Sequence, residues 1–286
     1  MFETLERSWQ FTKLSLGILF DYKRLVIFPI VSMLAFAVVS ASFALPLWST
    51  GFMDDVPAKV EEGTFAGEVL VWGVMFVFYF VSYFIMSFFN TGLIACALKV
   101  LAGEEPTIGY GMSVAVKRLP QIAAWALVAA VVGVLLKMLE RYQKVGTWIA
   151  ALLGTAWSAL TFFVVPVLAV EGVGPLAAIK RSGSILRSHW GTSMVSSFSM
   201  GLVGFLLMLP VLIIGGLLVM MAVSAGNTVG FVIAVSGLIL VAFIVSSITS
   251  AADIILKAVL YSYATDRTVP VGLDADDLEM AFRSAD

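Results

Sequence analysis

Long apolar segments alternate with shorter charged segments along most of this chain. Six of the apolar segments have at least 20 residues, which is about the length of helix that crosses the hydrocarbon core of a bilayer. The predicted spans are residues 25–48, 69–97, 119–139, 148–170, 193–220 and 229–250. The pattern predicts an all-α membrane protein with six transmembrane helices in residues 1–265, followed by an acidic cytoplasmic tail at 266–286.

The composition supports this class. Of the 286 residues 60% are hydrophobic and 13% charged, with a mean hydropathy of +1.02. Soluble domains have about 45–50% apolar and about 25% charged residues. A single cysteine, Cys96, and a single histidine, His189, exclude an internal disulfide and a Cys/His zinc cluster. The 17 basic and 19 acidic residues nearly cancel, so we expect no nucleic acid partner. We also expect no metal and no cofactor.

The distribution of basic residues predicts the orientation. Thirteen of the 17 Lys and Arg residues fall on the side of the spans that also carries both chain ends, and four fall on the other side. Because positive residues concentrate on the cytoplasmic side of bacterial-type membrane proteins, we expect both termini to be cytoplasmic and the chain to lie in the plasma membrane.

Three short segments, residues 2–20, 107–118 and 175–189, precede the odd-numbered spans. In the last segment one helical face is apolar (Leu176, Ile179, Leu186, Trp190) and the other is polar (Lys180, Arg181, Ser184, Arg187). Such a helix is expected to lie flat at the headgroups, with its cations near anionic lipid. Candidate headgroup contacts are Lys180, Arg181, Arg187 and Trp190, and Glu171 is expected to pair with Lys180 or Arg181.

The first and third of these segments can be aligned. Lys13-x-Ser15-x-x-Ile18-Leu19 matches Lys180-x-Ser182-x-x-Ile185-Leu186. This match favours three units in the same orientation, each formed by an interfacial amphipathic helix and a transmembrane hairpin. The alternative is that such basic amphipathic flanks are merely common to many membrane proteins.

Part of the chain resembles known membrane families. The residues that carry the resemblance are Val165-Pro166, Glu171, Pro175, Ala178-Ile179-Lys180-Arg181-Ser182, Ile185-Leu186, Trp190-Gly191, Phe88-Phe89-Asn90, Leu101-Ala102-Gly103, Leu260-Tyr261 and Tyr263-Ala264. They are similar to uncharacterised prokaryotic multi-pass families and to the membrane domain attached to some glycerophosphoryl diester phosphodiesterases. The resemblance implies six membrane helices and no established activity, since nothing here matches the phosphodiesterase catalytic domain.

Polar side chains within or beside the apolar spans form the candidate site. Asn90 lies in the second span, and Asp253 and Lys257 follow the sixth at a spacing of four residues, which permits an ion pair. Two interpretations remain open. The charges form a simple interfacial salt bridge, or they line a cytoplasm-facing cavity together with Asn90.

The sequence therefore favours a non-enzymatic scaffold, assembly or lipid-interacting protein, because no span has a clear path of buried charge. The alternative is a transporter or channel with Asn90, Asp253 and Lys257 on its pathway. A membrane enzyme is disfavoured because we find neither a nucleophile with a base nor a metal cluster. The expected partners are membrane lipids and, less specifically, another protein or a second copy of the chain.

Overall fold

The structure is a computed structural model that describes residues 2–49, 65–141, 143–188 and 190–265. The described residues are 92% helical and contain no strand. Six helical segments are long and apolar enough to cross a membrane. These observations confirm the all-α class and the predicted number of spans. The predicted tail, 266–286, lies outside the described residues.

The described part of the chain contains ten α-helices. They are α1 (Phe2–Asp21), α2 (Ile27–Ser49), α3 (Phe65–Leu101), α4 (Ile108–Lys117), α5 (Leu119–Glu140), α6 (Gln143–Leu160), α7 (Val164–Glu171), α8 (Pro175–Ser188), α9 (Trp190–Ser224) and α10 (Thr228–Ala264). A short 3₁₀ turn, Lys23–Val26, joins α1 to α2.

The order of short and long helices repeats three times. Each of α1, α4 and α8 precedes two long helical segments: α2 and α3, then α5 and the α6–α7 pair, then α9 and α10. This is the element order that the three-unit prediction requires. The second long segment of the first and third groups is longer than predicted, since α3 reaches Leu101 and α10 reaches Ala264.

A threonine occupies a comparable point in the second long segment of each group. Thr91, Thr161 and Thr249 each donate a hydrogen bond from Oγ1 to the carbonyl four residues earlier, at 2.7, 2.8 and 3.0 Å. Such a bond satisfies a hydroxyl within its own helix, which matters where no water is available. In all three groups a run of buried residues begins two residues after the threonine or sooner.

The chain forms two compact units, of which the first comprises residues 1–30, 96–108 and 188–286. In this unit α1 packs against α9 and α10. The rings of Phe11 and Tyr263 lie 5.2 Å apart. The buried face of α1 is formed by Phe11, Thr12, Ser15, Ile18 and Leu19. Because this face includes two polar residues and is covered by protein, α1 is held by helix packing on this side.

Burial changes abruptly along α10. None of its most apolar 18-residue stretch is buried, whereas nearly every residue from Ala251 to Ser262 is. The first buried residue, Ser247, lies 19 residues after Thr228, or about 29 Å along the helix. This length is close to the thickness of the hydrocarbon core, about 30 Å. The apolar part of α10 thus has the length of the bilayer core, and its last turns are covered by protein.

The second unit comprises residues 31–95 and 109–187. Aromatic rings join its long helices: Trp125 of α5 stacks on Trp157 of α6 at 5.9 Å. Tyr79 of α3 lies 3.2 Å from the position that a Cβ would occupy at Gly133 of α5. These close contacts are typical of membrane helices, in which packing and small residues replace the hydrophobic effect.

The α6–α7 break, at residues 161–163, falls inside the predicted span 148–170 and was not expected. The amide of Phe163 donates a hydrogen bond to Ser182 Oγ of α8 at 3.0 Å, and both residues are fully buried. The break therefore places α8 against the junction of α6 and α7, and Ser182 satisfies a backbone donor that the interrupted helix leaves without its usual acceptor.

The aligned residues of α1 and α8 have matching burial. Lys13 and Lys180 are exposed. The buried matching pairs are Ser15 with Ser182, Ile18 with Ile185, and Leu19 with Leu186. Two short helices in different units thus present the same face to their surroundings, which supports the alignment on grounds independent of residue identity.

Candidate functional site

Asp253 and Lys257 form a direct ion pair on α10. Lys257 Nζ lies 2.7 Å from Asp253 Oδ2. The side chain of Lys257 is 31% exposed and that of Asp253 is 37% exposed. Asp253 lies 25 residues after Thr228, about 38 Å along the helix and beyond the reach of a bilayer core that begins there. Measured from Thr228, the pair thus lies farther along α10 than a hydrocarbon core is thick, and both side chains are partly exposed.

Asn90 belongs to the second unit, whereas the ion pair belongs to the first. It is half-buried on α3, directly before the buried Thr91. The three residues predicted to form one polar cluster therefore belong to two different units. One part is a closed ion pair at the end of α10, and the other is a single amide on α3.

The cationic face of α8 is exposed. Lys180, Arg181 and Arg187 are all exposed, and Lys180 and Arg187 lie opposite Ala178 and Ser182, which are fully buried. The protein-covered face coincides only in part with the predicted apolar stripe, because Leu186 is buried whereas Leu176 is 70% exposed. It is displaced from that stripe by about a quarter turn, since small residues allow the helix to approach its neighbours closely. The side chain of Trp190 lies outside the described part.

One of the three cations is neutralised by a neighbour. Arg181 Nε lies 3.1 Å from Glu171 Oε1. This is one of the two pairings predicted for Glu171. Lys180 and Arg187 are exposed on the same face. The face therefore retains positive charge after this pairing.

Arg118 and Gln121 cap the carboxyl end of α7, a few residues before α8 begins. Arg118 donates from Nε to the carbonyl of Ala169 at 3.2 Å and from Nη2 to the carbonyl of Val170 at 3.1 Å. Gln121 Nε2 donates to the carbonyl of Gly172 at 3.2 Å. A guanidinium suits this place because the last carbonyls of a helix lack partners and carry partial negative charge.

Gly172 is required at this cap for two reasons. Its φ of +64° is in the left-handed region, where a residue with a Cβ is strained. A Cβ at this position would also overlap the guanidinium of Arg118. From the sequence alone, Arg118 is only one of the thirteen basic residues on the side that carries both chain ends. The 51 residues between Arg118 and Ala169 left no local signal for their contact.

Within the described ranges, no group of three or more His, Cys, Asp or Glu side chains could hold a metal ion. Cys96 is fully buried and its Sγ donates to the carbonyl of Thr107 at 3.4 Å. This thiol lies in a packed interior, where a thiolate is disfavoured. The geometry of the described residues is therefore that of packed helices with charged groups near their ends.

Comparison with known proteins gives a family and no activity. No curated protein matches the chain, and no link to the phosphodiesterase-associated membrane domain is found. The model of a family of unknown function, DUF6159, matches residues 69–270, which include five of the six candidate spans. The chain therefore belongs to the DUF6159 family.

Proposed function

We propose that this chain is a lipid-interacting scaffold of the plasma membrane, with both termini in the cytoplasm and α8 as its contact with anionic headgroups. The observation that carries the proposal is the division of α8 into two faces. One face is buried against the junction of α6 and α7, and the other exposes Lys180 and Arg187.

The electrostatic contribution supports this role. One basic residue near an anionic membrane surface contributes about 1 kcal/mol, and this attraction decays within about 10 Å at 0.1 M salt. Two cations held on one face of a docked helix would contribute about 2 kcal/mol. Because protein packing already orders α8, this interaction need not offset the entropy of folding the helix.

Hydrogen–deuterium exchange of α8 in nanodiscs tests the proposal. We expect slower exchange of α8 amides when phosphatidylglycerol replaces part of a phosphatidylcholine bilayer, and a smaller difference at 0.5 M salt. The double variant Lys180→Gln/Arg187→Gln should lose the difference. A matched double variant, Lys137→Gln/Arg141→Gln, removes two exposed cations from the predicted outer side and should retain it.

The proposal would be wrong if the wild-type chain responded equally to both bilayers, or if the matched control lost the response as well. Flux measurements test the transporter alternative. If proteoliposomes carried an ion or solute and Asp253→Asn abolished this flux, the pair at the end of α10 would line a pathway and the scaffold assignment would fail.

Orientation can be tested separately. Reporter enzymes fused to each chain end should both report the cytoplasm. Opposite reports from the two ends would refute the predicted topology, and with it the assignment of α8 to the cytoplasmic headgroups.

A further inference from the structure

A cleft of about 260 Å³ lies in the first unit, between the end of α1, the 3₁₀ turn, the start of α2 and α10. The residues that line it are Leu19, Phe20, Lys23, Val26, Ile30, Ile244, Ser247 and Ile248. All but Lys23 and Ser247 are apolar, and Ser247 Oγ donates to the carbonyl of Phe243 in its own helix. The cleft thus has an almost wholly apolar wall, to which Lys23 contributes a cationic side chain.

The depth of the cleft follows from its helices. Ile244 and Ile248 lie 16 and 20 residues after Thr228, about 24 to 30 Å along α10. Lys23 is the first residue of the candidate span that includes α2. Measured from Thr228, the apolar wall therefore reaches the edge of a hydrocarbon core of about 30 Å, and Lys23 stands at the end of its own candidate span.

We propose that this cleft binds one anionic phospholipid, with the upper part of an acyl chain against the apolar wall and the phosphate beside Lys23. The volume is slightly below the range of about 300–1,000 Å³ that encloses a whole small ligand, so it suits part of a chain whose remainder lies in the bilayer. Arg24, which is also exposed, adds a second positive charge beside Lys23.

A lipid fits this place better than another protein segment does. Phe20 and Ile244 are 63% and 47% exposed, and both are apolar. Lys23 is exposed beside them, so an occupant must offer a negative group directly next to a flexible apolar portion. A phospholipid has this arrangement at every headgroup, and its neighbouring lipids supply the occupant without a further binding partner. None of the lining residues belongs to α8, so the inference can fail without refuting the proposed function, and the proposed function can fail without refuting the inference.

Native mass spectrometry of the full chain in detergent tests the inference. Phosphatidylglycerol and phosphatidylcholine with identical acyl chains are added in separate titrations. We expect one phosphatidylglycerol to be retained more tightly than phosphatidylcholine. Lys23→Gln should weaken phosphatidylglycerol retention about fivefold, from the contribution of one basic residue near an anionic group, and leave phosphatidylcholine unchanged. Lys13→Gln, which removes a cation of α1 that does not line the cleft, should have no effect.

A second measurement does not depend on any substitution. Phosphatidylglycerol with a photoreactive group near the top of one acyl chain should label the peptides that contain Phe20 and Ile244 in the wild-type chain. Ile248→Trp, which fills the cleft, should reduce this labelling. Equal retention of the two lipids would overturn the inference, as would equal losses in Lys23→Gln and Lys13→Gln. Labelling dispersed over the apolar surface, or cross-linked dimers in place of lipid adducts, would also overturn it.

Discussion

Replacing Gly172 with alanine should destabilise the protein more than an ordinary glycine substitution does. The new Cβ would meet two obstacles at once: a left-handed backbone, and the guanidinium that caps α7. Gly226 provides a matched comparison, because its φ of +62° is nearly the same while a Cβ there would meet no atom within 4 Å. The difference between the two variants therefore isolates the contact with Arg118.

The expected magnitudes follow from these contacts. A left-handed conformation costs an alanine about 1–2 kcal/mol, and this is the whole effect expected for Gly226→Ala. In Gly172→Ala the guanidinium must also move away from two carbonyls. Each hydrogen bond from a charged donor contributes about 1.5–3 kcal/mol when buried. Because Arg118 is only half-buried, we take about 1 kcal/mol for each bond. The total for Gly172→Ala is then about 3–4 kcal/mol.

Unfolding in mixed micelles of increasing SDS content, followed by circular dichroism, would measure these free energies. A double-mutant cycle adds a sharper test, because Gly172→Ala introduced into an Arg118→Ala background should cost no more than Gly226→Ala does. The reasoning fails if Gly172→Ala and Gly226→Ala are equally destabilising in the wild-type background, or if the cost of Gly172→Ala is the same with and without Arg118.

The same assay tests three further contacts. Asp253→Asn should cost less than about 1 kcal/mol, since its pair with Lys257 is partly exposed, and a cost above about 3 kcal/mol would indicate a buried role. Ser182→Ala should cost about 1–3 kcal/mol because a buried amide loses its acceptor, and a neutral effect would mean that another group replaces the hydroxyl. Gly215→Ala should destabilise by about 1 kcal/mol or more, since its Cβ would overlap a leucine of α10. Its neighbour Gly216→Ala, which faces open space, should be neutral or stabilising, and equal effects of the two would exclude this overlap as the cause.

The six spans could be predicted because the bilayer imposes one length on every crossing helix. The ends of these helices could not, and α10 gives the reason. The prediction ended the span at residue 250, near the first charges, yet the helix continues to Ala264. From Ala251 to Ser262 nearly all of its side chains are covered by protein, and the charges of Asp253 and Lys257, which stay partly exposed, pair with each other. Hydropathy alone therefore locates the part of a helix that lipid covers, whereas the part that protein covers depends on tertiary packing.

Some contacts of the candidate site could be predicted from the sequence, and others could not. The pairs Asp253–Lys257 and Glu171–Arg181 join residues within ten positions of each other, and sequence spacing anticipated both. The cap formed by Arg118 joins residues 51 positions apart. In the sequence Arg118 is one basic residue among several, and only the fold reveals that its charge serves the end of a helix. A count of basic residues, used here to predict orientation, therefore overstates how many cations remain available to lipids.

The short helices α1 and α8 differ from isolated interfacial helices in what stabilises them. An isolated amphipathic helix binds and orders itself by placing its apolar stripe in the lipid. In α8 the face covered by protein consists of Ala178, Ser182, Ile185 and Leu186, and α1 buries Ser15 at the position that matches Ser182. Because protein contacts hold these faces, neutralising the cations of α8 should change its response to anionic lipid without detaching the helix. If Lys180→Gln/Arg187→Gln exposed the amides of α8 to exchange even in detergent, the cations would be part of what keeps the helix folded, and the separation of its two faces would be wrong.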